Sequence, residues 1–158
     1  MTMIADEVAR PSSREVVFSR LLAAPVALVW EMWADVRHLH EWFGPTGFTI
    51  TTQEFEFAPG GLWRFTMHAP DGHDNPSLMV FRSIEPKARI VYTNSWHEPD
   101  ALLEFTGEVT LAAEGQRTRL ILRLTFDSDA AMQMAVGHYG VENGGRETFE
   151  RLARYAEG

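Results

Sequence analysis

Apolar residues recur with two different periods along this chain. Between positions 48 and 127 they alternate with polar residues, and over 128–158 they fall every third or fourth place. The first period is that of a half-buried strand, the second that of an amphipathic helix. Residues 14–22 open the pattern as a strand, with Val16, Phe18 and Arg20 on one side and Val17, Ser19 and Leu21 on the other. Ala23-Ala24-Pro25 then starts a helix, since proline suits a first helical turn, and Val26, Val29, Trp30 and Trp33 follow at helical spacing. Asp35 is placed to cap a second short helix over 36–42, and Gly44-Pro45-Thr46-Gly47 must end it.

Six further strands are predicted over 48–57, 62–69, 78–84, 88–96, 101–113 and 117–127. Phe48 and Ile50 have one parity, Phe55 and Phe57 the other, which predicts a bulge near Thr51-Thr52. Pro59-Gly60-Gly61, Pro70-Asp71-Gly72, Glu85-Pro86-Lys87 and Glu114-Gly115-Gln116 supply the turns. The last strand puts Leu120, Leu122, Leu124 and Phe126 inward. Short turns between successive strands predict an antiparallel meander. The fold class is α+β: a curved seven-stranded antiparallel sheet, two short helices after its first strand, and one long helix over 128–158 across the concave face. Residues 1–13 read as a loose leader and 14–158 as a single domain.

Composition narrows the function. A chain of 158 residues with 45% hydrophobic content fits one domain with a proper core. A formal charge of −8 is unsuited to neutralising phosphates, so nucleic acid is not the expected partner. The absence of cysteine removes disulfides, thiolate zinc sites and cysteine nucleophiles. No run approaches the roughly 20 apolar residues of a bilayer span, and residues 1–13 hold no signal-peptide core, so the expectation is a soluble, cytoplasmic protein with no membrane insertion. Ten Phe and five Trp are the unusual feature, with Trp30, Trp33 and Trp42 inside thirteen residues. They read either as a filled aromatic core or as the walls of a partly hollow one.

Several pieces occur in a familiar order: Ala23-Ala24-Pro25 with Val29-Trp30, Trp42-Phe43-Gly44-Pro45, Pro59-Gly60-Gly61-Leu62-Trp63-Arg64-Phe65, Pro70-Asp71-Gly72, Ile90-Val91-Tyr92-Thr93, Thr118-Arg119-Leu120 and Gly140-Val141-Glu142-Asn143-Gly144-Gly145. Over about 14–157 this resembles the bacterial branch of the heat-shock-protein-90 ATPase activator homologues, within the START/birch-pollen-allergen (SRPBCC) superfamily. The resemblance implies a helix-grip fold, a curved sheet wrapped around the C-terminal helix with a cavity between them, and binding of small apolar or amphipathic molecules. It implies no cofactor and no particular ligand. One departure stands out: the family pattern usually reads Gly-Trp where this chain has Gly145-Arg146. Arg146 either faces solvent or offers a fixed cation to the cavity.

The expected cavity residues are Trp33, Trp63, Phe65, Met67, Met79, Phe81, Tyr92, Asn94, Trp96, Phe105, Met132, Met134, Val136, Tyr139, Glu142 and Arg146. No nucleophile elbow, P-loop or dinucleotide fingerprint is present. An enzyme of cyclase, dehydratase or hydrolase type would therefore need acid–base groups inside the cavity, with Tyr92, Glu142 and Arg146 as candidates and Asn94 and His97 beside them. Glu142 and Arg146 are four apart, the spacing of an ordinary surface pair as well as of an inward polar anchor. His38 and His40 do not share a helix face and read as surface residues. His68, His97 and His138 could meet at one end of the sheet, where three His would suit zinc, but nothing in their spacing demands it and no metal site is expected. Three readings follow: a binder of a small hydrophobic molecule, such an enzyme, or a chaperone-accessory or protein-interaction module. A homodimer through an exposed strand or the aromatic-rich helices is compatible with the pattern.

Overall fold

A computed structural model of the chain describes residues 7–98 and 101–158. All its strands form one antiparallel sheet of eight, in the order β1-β2-β8-β7-β6-β5-β4-β3. They are β1 (Glu7–Ser12), β2 (Glu15–Leu22), β3 (Thr49–Phe55), β4 (Leu62–His68), β5 (Asp74–Glu85), β6 (Arg89–Glu98), β7 (Ala101–Glu114) and β8 (Arg117–Phe126). Helices α1 (Val26–Ala34) and α2 (Val36–Trp42) connect β2 to β3. After β8 come α3 (Asp129–Gln133), a π-helical turn (Met134–His138) and α4 (Val141–Glu157).

Seven predicted strands and both short helices are present, and three expectations need correction. The segment read as part of a loose leader holds an eighth strand: Glu7, Val8 and Ala9 pair with Ser19, Phe18 and Val17. Residues 1–6 of that leader lie outside the described residues. The fifth strand begins at Asp74, so Pro76 joins it opposite Thr66. The single long helix is interrupted. Tyr139 N–H donates to Met134 O at 3.1 Å, closing an i→i+5 turn. Gly140 then takes φ +63°, a left-handed conformation that no helix interior continues through. The expected bulge in β3 lies between Thr52 and Glu54, where Gln53 is the extra residue.

Residue choice explains the framing of the helices. Asp35 sits at extended φ/ψ between α1 and α2, and its carboxylate accepts from Arg37 N–H at 2.9 Å. Hydrogen bonds from the Arg37 guanidinium and backbone hold the Asp35 carboxyl down at about 2. A depressed carboxyl pKa adds stability above its unfolded value near 3.9, lost as pH falls toward about 2. An Asp35→Ala protein is therefore expected to be about 1 kcal/mol less stable at neutral pH, with the difference shrinking as pH falls below about 4 and vanishing only below about pH 2. Urea denaturation at pH 7 and pH 2.5 checks this; an undiminished gap at the lower pH would show that the carboxylate is not its source.

The aromatic excess has a clear location. Trp33, Trp42, Phe43, Trp63 and Phe65 interlock beneath α1 and α2, with Trp33–Trp42 centroids 4.8 Å apart and Phe43–Trp63 5.1 Å apart. Trp42 donates to Met32 O, and Trp63 to Thr52 Oγ1. One end of the molecule is therefore a filled aromatic core. The other end lies under α4 and is not filled.

Candidate functional site

A cavity of about 260 Å³ lies between the concave face of the sheet and the N-terminal half of α4, partly open to solvent. Six strands contribute inward side chains: Phe18 from β2, Met67 from β4, Asn75 from β5, Tyr92, Asn94 and Trp96 from β6, Phe105 from β7, and Leu122 and Leu124 from β8. The opposite wall is Tyr139 to Val141, Gly144, Gly145, Thr148 and Phe149, with Trp33 behind it, and one side is closed by the loop carrying Phe43, Gly44, Pro45 and Phe48.

Two glycines set the height of this space. A side chain on Gly145 would overlap the ring of Phe18, so α4 rests its backbone on β2 there. Gly144 lies against Pro45 of the loop. The helix thus approaches the sheet along one edge and the loop along the other, which glycines, weak helix formers without a Cβ, permit. Phe149, one turn further, packs on Phe18 with centroids 5.8 Å apart.

Arg151 fixes the loop. Its Nη1 donates to the carbonyls of Gly44, Pro45 and Phe48 at 2.9, 3.0 and 3.3 Å, and Nη2 reaches Glu41 O at 3.4 Å. Burial, and then Arg154, lower its pKa below that of an ordinary arginine. Glu147 adds a second tie, accepting from Thr46 N–H at 3.0 Å.

The expected cavity residues divide into three groups. Trp33, Met67, Tyr92, Asn94, Trp96, Phe105 and Tyr139 are brought together on the cavity wall. Phe65 is packed core, and Trp63, Met79 and Phe81 border only a void of about 10 Å³ in the aromatic end. Met132 is buried outside the cavity, Val136 packs partly against the core, and Met134 is exposed. Glu142 and Arg146 lie outside the cavity lining. Glu142 takes a bidentate bond from Arg10 at 2.6 and 2.7 Å, which holds its carboxyl below the usual range. Arg146 is exposed and donates to Asn143. A turn of α4 that rests Gly145 and Phe149 on the sheet carries Arg146 away from it, so the choice between solvent and cavity falls to solvent.

The wall is mostly apolar. Among the described residues it carries no Asp, Glu, His, Lys or Arg. Its ionisable groups are the phenols of Tyr92 and Tyr139, and burial pushes Tyr92 well up. No group of three or more His, Asp or Glu able to hold a metal occurs among the described residues. His38 and His40 bond Tyr155 and Thr52 instead, at 2.7 and 2.6 Å. Among the described residues no helix is long and apolar enough to cross a membrane.

The fold is shared with solved bacterial proteins. A solution structure from Arthrobacter aurescens is 27% identical, covers 96% of this chain and 91% of its own, and superposes with a TM-score of 0.88. Protein Ms6760 from Mycobacterium smegmatis is 21% identical, with 94% of each chain covered and a TM-score of 0.83. The AHSA1 protein from Silicibacter pomeroyi is 21% identical over 89% of this chain and 95% of its own, with a TM-score of 0.73. Among curated proteins no match was found. The sequence profile described as "Activator of Hsp90 ATPase homolog 1-like protein" matches residues 23–157, most of the chain. With the helix-grip sheet, the interrupted C-terminal helix and the space between them, the chain therefore belongs to the family of Activator of Hsp90 ATPase homolog 1-like proteins.

Proposed function

We propose that this chain binds a small, largely apolar molecule between the sheet and α4. The observation that carries this reading is the cavity of about 260 Å³, with nine aromatic residues on its wall and a few fixed polar groups among them. An engineered cavity of about 150 Å³ takes benzene, so this one suits a molecule of about ten non-hydrogen atoms. An enzymatic role would need an acid or base against the ligand. Glu142 and Arg146 are outside the lining, and the Tyr92 phenol, its pKa raised by burial, stays protonated at neutral pH as a hydrogen-bond donor, too weak an acid for proton transfer and no base. Binding is the reading the wall supports.

A ligand that binds only the folded state stabilises it by about 2.7 kcal/mol at one hundred times its Kd. For a domain of this size that is a rise in Tm of roughly 5–10 °C. Thermal melts followed by circular dichroism, with a library of neutral mono- and bicyclic compounds, test it. The absence of any concentration-dependent rise across the library would count heavily against a ligand cavity.

A further inference from the structure

The polar groups on the wall are not arranged at random, and one hydrogen-bond chain fixes what they offer. Tyr92, Asn94 and Trp96 alternate along β6 and share its concave face. Ser77, on neighbouring β5, donates its hydroxyl hydrogen to Ser95 O at 3.2 Å. The Ser77 oxygen is left to accept, and it does so from Asn94 Nδ2 at 3.1 Å. That settles the amide of Asn94: its nitrogen faces Ser77 and its Oδ1 faces the other way.

Asn94 is 6% exposed and lines the cavity. Among the described residues its Oδ1 has no partner. Two more groups on the same wall are unspent. Trp33 Nε1–H is buried with no acceptor. The Tyr92 hydroxyl has no partner among the described residues, and its raised pKa keeps it protonated. Among its polar groups the wall thus presents an oriented acceptor, Asn94 Oδ1, and a donor, the Tyr92 hydroxyl, with no charged side chain, while Trp33 Nε1–H is shut off from the open space.

Taking this together with the binding reading on which it rests, we propose that the cavity selects neutral ligands carrying a hydroxyl or amide N–H, donated to Asn94 Oδ1. Anions such as fatty acids are rejected because a carboxylate would enter without a cation. Purely apolar molecules of the same shape are disfavoured because they leave buried polar groups unpaired. The Tyr92 hydroxyl then serves an acceptor atom on the ligand.

The test uses three probes of one shape with the full chain at pH 7: 2-naphthol, 2-methoxynaphthalene and 2-naphthoate, titrated by fluorescence and calorimetry. The donor-bearing naphthol is expected to bind about tenfold more tightly than its methyl ether. The naphthoate is expected to bind at least about 100-fold more weakly than naphthol. In an Asn94→Leu protein the naphthol advantage should fall to within a factor of about two, while the ether keeps its affinity. Should that variant fail to fold, the ranking on the unaltered chain decides alone. Equal binding of naphthol and ether, or naphthoate binding as well as naphthol, overturns the selection and leaves the ligand cavity standing. Failure of all three probes to bind overturns both.

Discussion

A Gly107→Val protein is expected to lose about 2–3 kcal/mol of stability and to bind cavity ligands at least tenfold more weakly. Strand propensity alone argues the reverse, because valine is preferred over glycine in a sheet by up to about 1 kcal/mol. The local geometry decides. Gly107 on β7 stands directly opposite Tyr92 on β6. The Tyr92 ring lies across it, so a Cβ at 107 would overlap Cζ, Cε1 and Oη of that ring. The contact is with a side chain 3% exposed, fixed among core neighbours. Overpacking of that kind costs about 1–3 kcal/mol, and the second methyl of valine leaves no small adjustment that relieves it. The open direction for the ring is the cavity, which couples the stability loss to a loss of binding volume. Urea denaturation should show a lower midpoint with an unchanged slope. A double-mutant cycle with Tyr92→Ala separates the causes: the valine penalty should largely disappear once the ring is gone. A penalty that persists without the ring would mean that the strand backbone, and not Tyr92, needs the glycine.

The same pair shows how far the sequence carries the architecture. Alternation along β2 to β8 was strong enough to place seven strands, and the parity change in β3 pointed to a bulge within two residues of its position. Asp35 and Pro25 framed α1 and α2 by chemistry that acts over three or four residues. What lay beyond the sequence depends on distant partners. Residues 7–12 (EVARPS) carry a proline and two charges and offer Val8 and Ala9 as their apolar residues; they become a strand because β2 presents an edge to them. Inward parity identified Leu122 and Leu124, and also Trp63 and Phe65, but parity does not separate a side chain of the filled core from one that borders the cavity of about 260 Å³. Tyr92, Asn94 and Trp96 lie on one side of that division, Met79 and Phe81 on the other. Gly44-Pro45-Thr46-Gly47 read as a helix stop, and Gly44 and Pro45, with the flanking Phe43 and Phe48, form a wall of the cavity. The glycines at 140, 144 and 145 were a legible signal of a break or close approach. Which of these applied at each position required knowing that Phe18 and Pro45 lie opposite.

That wall depends on one cation, so an Arg151→Met protein is expected to be about 3 kcal/mol less stable and to release cavity ligands at least tenfold faster. Methionine preserves most of the aliphatic stem and removes the guanidinium. The loop 43–48 turns its carbonyls toward α4, helped by Gly44 at φ +108°, where other residues would be strained. Three of these carbonyls share a single Arg151 nitrogen. Hydrogen bonds to a charged donor contribute about 1.5–3 kcal/mol each. Shared donors and partial rehydration of the exposed carbonyls bring the sum down to about 3 kcal/mol. The tie from Glu147 to Thr46 N–H remains, so the loop should loosen and not detach. Amide exchange at Gly47 and Phe48 should accelerate, while the sheet around Val109 and Leu120 keeps its protection. An Arg151→Lys protein, which retains the charge but not the planar fork, should fall between the two because an ammonium cannot span the same carbonyls. Stability, loop exchange and ligand release all unchanged in the methionine variant would mean that apolar packing of Phe43 and Phe48 holds the wall, and that Arg151 only neutralises carbonyl dipoles already fixed in place.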